Sequence, residues 1–334
     1  MAPPTVKAVS SPASPRSPLV AAAVLVTVVL WASAFVGIRA AGEELSAGAL
    51  SLGRLLTAAV ALAVIVAIRR DALPPRADVP RLVLCGVLWL GAYNVMLSAG
   101  EQRVDAGTAA MLVNVGPVLI ALLAGLLLGE GFPRALLAGC AVAFCGVVVI
   151  GLAMSDGGAG GTWGVALCLG AAAAYAGGVV AQKPLLDRTS GLQITFLACV
   201  IGVAACLPFL PTLVREAQHA TAASLAWTAY LGIFPTAIGF TTWAYALRRT
   251  TAGKLGATTY LVPPLAILMG AALLAESPPA PALAGGALCL AGVAMANGAR
   301  VPRRRAKGPT GAHSPPADSS LRAVPGGVEA SAGS

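Results

Sequence analysis

An arginine stands eight residues into an apolar run of this chain, Arg54 in the stretch 46–68. At 1.5 Å of rise per residue a helix over that run carries its guanidinium about 12 Å deep. The group is always charged and offers a planar fork of donors that matches carboxylates and phosphates. In the middle of a bilayer it costs about 3 kcal/mol even on insertion scales. Two readings follow: Arg54 faces a wet cavity, a partner or a substrate anion, or it snorkels back to the interface along its own stem. No aspartate lies in any apolar run, and Glu101, Glu130 and Glu276 stand only at the ends of such runs. An anionic substrate group or a backbone carbonyl is therefore the expected answer to Arg54. The same shortage argues against a carboxylate proton relay within the membrane, and Glu130 and Glu276 read as caps of the helices that follow them.

Asn94, Asn114, Tyr175 and Tyr260, with Trp31, Trp89 and Trp243, are the polar and aromatic residues deep enough in apolar runs to line a substrate cavity beside Arg54. Interhelical hydrogen bonding or packing is an equally good use for any one of them. Pro117 and Pro263 fall near the middle of two such runs. A proline lacks the amide hydrogen and crowds the carbonyl four residues earlier, here Val113 and Thr259, so both helices are expected to kink and to act as hinges or cavity walls.

Other chemistries have little to work with. His219, His313 and all six aspartates lie outside the apolar runs, which leaves an intramembrane enzyme few acid-base or metal-binding groups. A channel would call for rings of charge or a carbonyl filter, and neither is visible. These two remain the rival readings. The chain has no phosphate-binding loop, so a nucleotide-driven pump is excluded for it alone. The seven cysteines (Cys85, Cys140, Cys145, Cys168, Cys199, Cys206 and Cys289) are scattered through apolar runs without a CxxC pair, and read as small apolar residues. No metal and no cofactor is expected.

The elements that hold these residues follow from composition. With 57% hydrophobic and 10% charged residues and a mean hydropathy of +0.83, the chain has too little polar surface to enclose a soluble core of its length. The bilayer is its expected partner. Long runs without alternation argue against a β-barrel and leave helices as the way to satisfy the backbone in lipid. Ten runs are long enough to cross about 30 Å of hydrocarbon. They lie near 19–38, 46–68, 81–99, 106–129, 133–153, 163–183, 190–213, 223–247, 252–275 and 281–299. The first run, with Arg16 before it and Ala32, Ser33 and Ala34 within it, also resembles a signal peptide. The sixth run echoes it at an offset of 144, however, pairing Trp31 with Tyr175 and Arg39 with Lys183.

A stronger repeat lies further on. Residues 106–152 align without a gap onto 252–298 at a constant offset of 146, with 15 of 47 positions identical, among them Pro117 with Pro263, Glu130 with Glu276 and Pro133 with Pro279. Gly139 and Gly146 recur as Gly285 and Gly292, one small face on the fifth and tenth helices that permits close packing and marks them as scaffold. Basic residues set the orientation. With the N-terminus cytoplasmic, the cytoplasmic loops hold ten and the outer loops three (Arg39, Arg103 and Arg215). This explains the net charge of +9 without invoking nucleic acid. Five helices per half is an odd number, so the second half enters from the opposite side and the repeat is inverted, a topology of secondary transporters. The expected fold is an all-α integral membrane protein with ten transmembrane helices as two inverted five-helix repeats. The divisions are a disordered tail over 1–18, repeats over 19–153 and 163–299, and a basic disordered tail over 300–334, both termini cytoplasmic. The oligomeric state is open, and a homo-oligomer is compatible with the sequence.

The ten short-looped runs, the stretch Trp31-Ala-Ser-Ala-Phe35, Arg54, and the proline-centred fourth and ninth helices, each ending in glutamate and followed by a glycine-marked helix, resemble the EamA family of the drug/metabolite transporter superfamily. The resemblance covers 19–299 and implies an exporter or carrier of small metabolites in the cell membrane, with a central cavity between two halves. Amino acids or related amphoteric compounds are the expected cargo.

Overall fold

In the computed structural model the described residues are 18–71, 73–127, 134–155, 159–249, 255 and 258–298, and they are helical, with no strand among them. Both tails, Glu130 and Pro133 lie outside the described residues. The helices are α1 (Pro18–Ala41), α2 (Ala47–Arg69), α3 (Arg76–Glu101), α4 (Ala106–Val113 continuing as Gly116–Leu127) and α5 (Arg134–Ser155). They continue as α6 (Ala159–Gln182), α7 (Gly191–Ala217), α8 (Ala222–Arg249), α9 (Thr259–Leu274) and α10 (Ala280–Gly298). Six of them, α1, α2, α3, α6, α7 and α8, are long and apolar enough to cross a membrane, and the other four carry apolar stretches of 10–17 residues. Large apolar side chains such as Leu25, Val60, Phe144 and Leu268 point outward, as expected of a protein whose solvent is lipid.

Caps set several helix starts. Asp105, Ser190 and Thr221 sit in extended conformation and accept from the amides of Thr108, Gln193 and Ser224, answering donors that the first turn leaves open. Helix α9 ends on Ala275 in the left-handed conformation (φ 54°), and Glu276 N–H reaches back to Gly270 O.

The packing comes in matched pairs. α1 lies on α9 and on α8; α6 lies on α4 and on α3. α2 packs along α7, α3 touches α7 and α8 touches α2, while α5 packs along α10. Exchanging the first five helices with the last five therefore maps each of these contacts onto another. Local geometry repeats too: a π-helical stretch interrupts α3 at Gly86–Ala92 and α8 at Gly232–Ile238, starting 146 positions apart. At the α5–α10 crossing, a Cβ added at Gly146 would stand 2.5 Å from Gly285 O, and one added at Gly292 2.5 Å from Gly139 O. The repeated glycines thus let the two backbones touch, as the sequence pattern implies.

Candidate substrate-binding site

Three prolines and three side chains, Asn114, Thr236 and Arg54, organise the polar part of a cavity inside the bundle. Helix α4 breaks at Asn114–Val115, just ahead of Pro117. Asn114 closes its first segment, and its Nδ2 donates to Thr259 O at 2.7 Å. Thr259 is four residues before Pro263, which has no amide hydrogen to offer that carbonyl; Val262 N–H bonds it instead, three residues on. The geometry fixes the amide orientation, because only the NH₂ end of Asn114 can donate. Helix α8 shows the same device. Pro235 lies in its π-helical stretch, and the carbonyl four residues earlier, Leu231 O, receives the Thr236 hydroxyl at 2.8 Å. Thr236 Oγ1 then accepts from Arg54 Nε at 2.7 Å. The carbonyl left by a proline is thus what positions the partner of the buried arginine.

Arg54 is 3% exposed, so its side chain does not snorkel; it lines the cavity. Trp31 and Phe35 of α1, Trp89 and Tyr93 of α3, Val113, Asn114 and Pro117 of α4, Tyr175 of α6, Phe240 of α8, and Thr259 and Val262 of α9 complete most of the wall. The rings form a continuous chain: Trp243 to Trp31 at 4.9 Å between centroids, Trp31 to Phe240 at 5.5 Å, Phe240 to Trp89 at 4.8 Å, Trp89 to Tyr175 at 5.5 Å, and Tyr175 to Tyr93 at 6.1 Å. Glycines hold them in place. A Cβ at Gly178 would stand 2.4 Å from Trp89 Cβ, and one at Gly116 2.5 Å from the Tyr175 ring.

Four polar atoms of wall residues are buried without a hydrogen-bond partner among the described residues: Arg54 Nη1, Trp31 Nε1, Tyr175 Oη and Asn114 Oδ1. Each such atom costs about 1–3 kcal/mol when left unanswered. Together they offer a carboxylate two charged or polar donors and an ammonium group two oxygen acceptors, between aromatic faces that attract cations and apolar groups alike. The space open to centres of water-sized spheres is about 50 Å³, room for a few waters. An amino-acid-sized solute enters only if the walls part.

The sequence-derived candidates divide accordingly. Trp31, Arg54, Trp89, Asn114 and Tyr175 line the cavity, and so does Pro117. Trp243 does not; it is 2% exposed and backs Trp31. Asn94 turns its Nδ2 to Leu90 O at 2.7 Å, inside the π-helical stretch of its own helix. Tyr260 packs beside Val118, Leu122 and Cys140, and Pro263 is buried in α9 next to the wall residue Val262. Tyr93, Phe35, Phe240 and Thr236 were missed. Their signal was present only in part: Pro235 and Thr236 are an adjacent proline and hydroxyl within an apolar run.

One glutamate departs furthest from expectation. Glu276 does not cap α10; its Oε1 accepts from Arg39 Nε of α1 at 2.6 Å. Glu101 closes α3, at the end of its run as read from the sequence, and is fully buried there.

The described residues contain no group of three or more His, Cys, Asp or Glu that could hold a metal. Known proteins resemble the chain along most of its length. The profile of the EamA-like transporter family matches residues 19–152 and again 162–298. A protein of Streptantibioticus cattleyicolor called "Probable terminal-alkyne amino-acid exporter" is 42% identical over 85% of this chain and 95% of its own length. A "Probable amino-acid metabolite efflux pump" of Salmonella typhimurium is 26% identical over 80% and 91%. One crystal structure superposes with a TM-score of 0.57 over 82% of this chain and 97% of its own, at 18% identity, which speaks for the fold alone. A multi-pass helical membrane chain matched twice by one transporter profile, with an arginine-bearing aromatic cavity at its centre, belongs to the EamA-like transporter family.

Proposed function

We propose that this protein is a secondary transporter of the cytoplasmic membrane that exports small amphoteric metabolites, amino acids with a slim apolar side chain, by alternating access through the cavity at Arg54. The observation that carries the reading is Arg54 itself: a buried guanidinium held by Nε, with Nη1 unpartnered among the described residues, lining a cavity walled by aromatic rings. It takes the substrate carboxylate; Tyr175 Oη and Asn114 Oδ1 take the ammonium; Trp31 and Trp89 take the apolar remainder. Asn94, Trp243 and Tyr260 support the walls, and Pro117 and Pro263 are the hinges. The names of the two relatives, an amino-acid exporter and an amino-acid metabolite efflux pump, support this cargo.

In this reading all ten helices cross the membrane as two inverted five-helix repeats, 19–153 and 163–299, flanked by tails over 1–18 and 300–334, with both termini cytoplasmic. The paired contacts of the two halves and the π-helical stretches 146 positions apart support it. Reporter fusions at Gly157 and Ala306 are expected on opposite sides of the membrane, and the same side for both refutes the inversion.

The cargo is tested with purified protein in proteoliposomes, using counterflow of propargylglycine, a terminal-alkyne amino acid, and of L-valine. Arg54→Ala is expected to lower flux about tenfold or more, the worth of a charge-assisted hydrogen bond. Arg54→Lys recovers part of it, since the fork is lost. Wild-type flux in Arg54→Ala would remove the arginine from the substrate site.

A further inference from the structure

The last residue of α3 presents a problem that the substrate site does not solve. Glu101 is 0% exposed, and both its carboxyl oxygens are buried without a hydrogen-bond partner among the described residues. The enclosure is tight: a Cβ added at its neighbour Gly100 would stand 2.6 Å from Cys168 Sγ and 3.3 Å from Gly164 O of α6.

Cations lie near, but among the described residues neither bonds its carboxyl. Arg39 of α1 donates Nη1 to the main-chain oxygen of Glu101 at 2.7 Å, not to its carboxyl, and Nε to Glu276, just past the end of α9, at 2.6 Å. Arg54 of α2 gives its Nε to Thr236. The other titratable groups within electrostatic reach are Tyr93 of the same helix, Asp105 in the turn after it, Cys168 of α6 and Glu276. Asp105 is occupied by the amide and hydroxyl of Thr108. An ionised carboxylate enclosed without donors costs several kcal/mol, and a neutral acid avoids most of it.

We propose that Glu101 is a proton-binding site of the transport cycle, loaded when the Arg39–Glu276 latch is shut and Glu101 is buried against α6, and unloaded when the latch opens. In the latched form Arg39 holds Glu276, and Glu101 is buried as the acid. When the latch opens, water reaches the carboxyl, the proton leaves to solvent, and the freed guanidinium of Arg39 answers the carboxylate. One proton and one positive charge thus enter with closure and leave with opening; no other reactant is needed. This rests on the alternating-access reading above, and in the orientation proposed there the latch is at the outer face. Outside acidity then favours closure.

The test needs no substrate, so it succeeds or fails apart from the cargo assignment. Infrared spectra of the full-length protein in lipid nanodiscs at pH 7 are expected to contain a protonated-carboxyl stretch. Glu101→Gln removes that stretch. Glu276→Ala, which deprives Arg39 of its present anion, removes most of it while Glu101 is still in place. A wild-type protein lacking the stretch at pH 7 overturns the proposal without reference to any variant. A stretch that survives Glu101→Gln, or that is untouched by Glu276→Ala, overturns it as well.

Discussion

The side chain of Asn114 donates a hydrogen bond of 2.7 Å to the main-chain oxygen of Thr259, 145 residues further along the chain. The two ends of this bond are the broken point of α4 and the turn that opens α9, the segments on which Pro117 and Pro263 act. Pro263 falls in the first turn of the α-helical part of α9, not at mid-helix; each of the two helices thus uses the other's irregular backbone, and the bond ties the two candidate hinges together across the cavity.

This coupling is measurable. Asn114→Ala is expected to destabilise the protein by about 1–3 kcal/mol, because a carbonyl loses a donor at membrane depth. In a Pro263→Ala background the new amide supplies the donor, and the same substitution is expected to cost at least about 0.5 kcal/mol less. Thermal unfolding of the four proteins of the cycle gives the difference. Strict additivity would separate Asn114 from the proline. Counterflow on Pro117→Ala/Pro263→Ala adds the kinetic half: straightened helices leave the melting temperature unchanged or raised and slow turnover, whereas unchanged flux per folded molecule retires the hinge role.

Two glycines on neighbouring helices should respond to alanine with opposite signs. At Gly146 the added methyl would stand 2.5 Å from Gly285 O and 2.6 Å from Cys289 N, both backbone atoms that cannot step aside, and the expected cost is about 1–3 kcal/mol. At Gly160 nothing lies within 4 Å, and alanine should gain roughly 0.5–1 kcal/mol by restricting the unfolded chain. A melting-temperature comparison decides it; a tolerated Gly146→Ala would mean that α5 and α10 do not touch backbone to backbone.

Acid should loosen one corner of the bundle through Glu44, in the loop between α1 and α2. Its carboxylate accepts from Thr221 N–H at 2.6 Å and from the Thr221 hydroxyl at 3.0 Å, at the start of α8. The amide bond, foremost, holds the carboxyl below its ordinary range. A folded-state value below the unfolded one stabilises above the ordinary carboxylate range and loses that contribution as pH falls through the folded value. The melting-temperature gap between wild type and Glu44→Gln is therefore expected at pH 7 and should close in acid. A gap independent of pH would assign the effect to packing.

Membrane class was written in composition, since burying or exposing 57% hydrophobic residues leaves few other solvents for the chain. The repeat was written in the fixed spacing of prolines and glycines, because a kink or a close crossing demands a particular residue type at a particular position. Arg54 was legible for the same reason: a charge inside an apolar run has to be explained. What linear sequence does not contain is which irregular backbone meets which side chain. Whether Arg54 snorkelled or turned inward depended on Thr236, 182 residues away, and Asn94 and Asn114, alike in the sequence, diverged because one reaches its own helix and the other reaches Thr259. Glu101 and Glu276 stand at helix ends, and only the packing of α3 against α6 buried the first and the approach of α1 paired the second with Arg39. Residue type and spacing fix the local events of a chain; burial and partnership are properties of distant segments brought together, so they were decided by the tertiary structure.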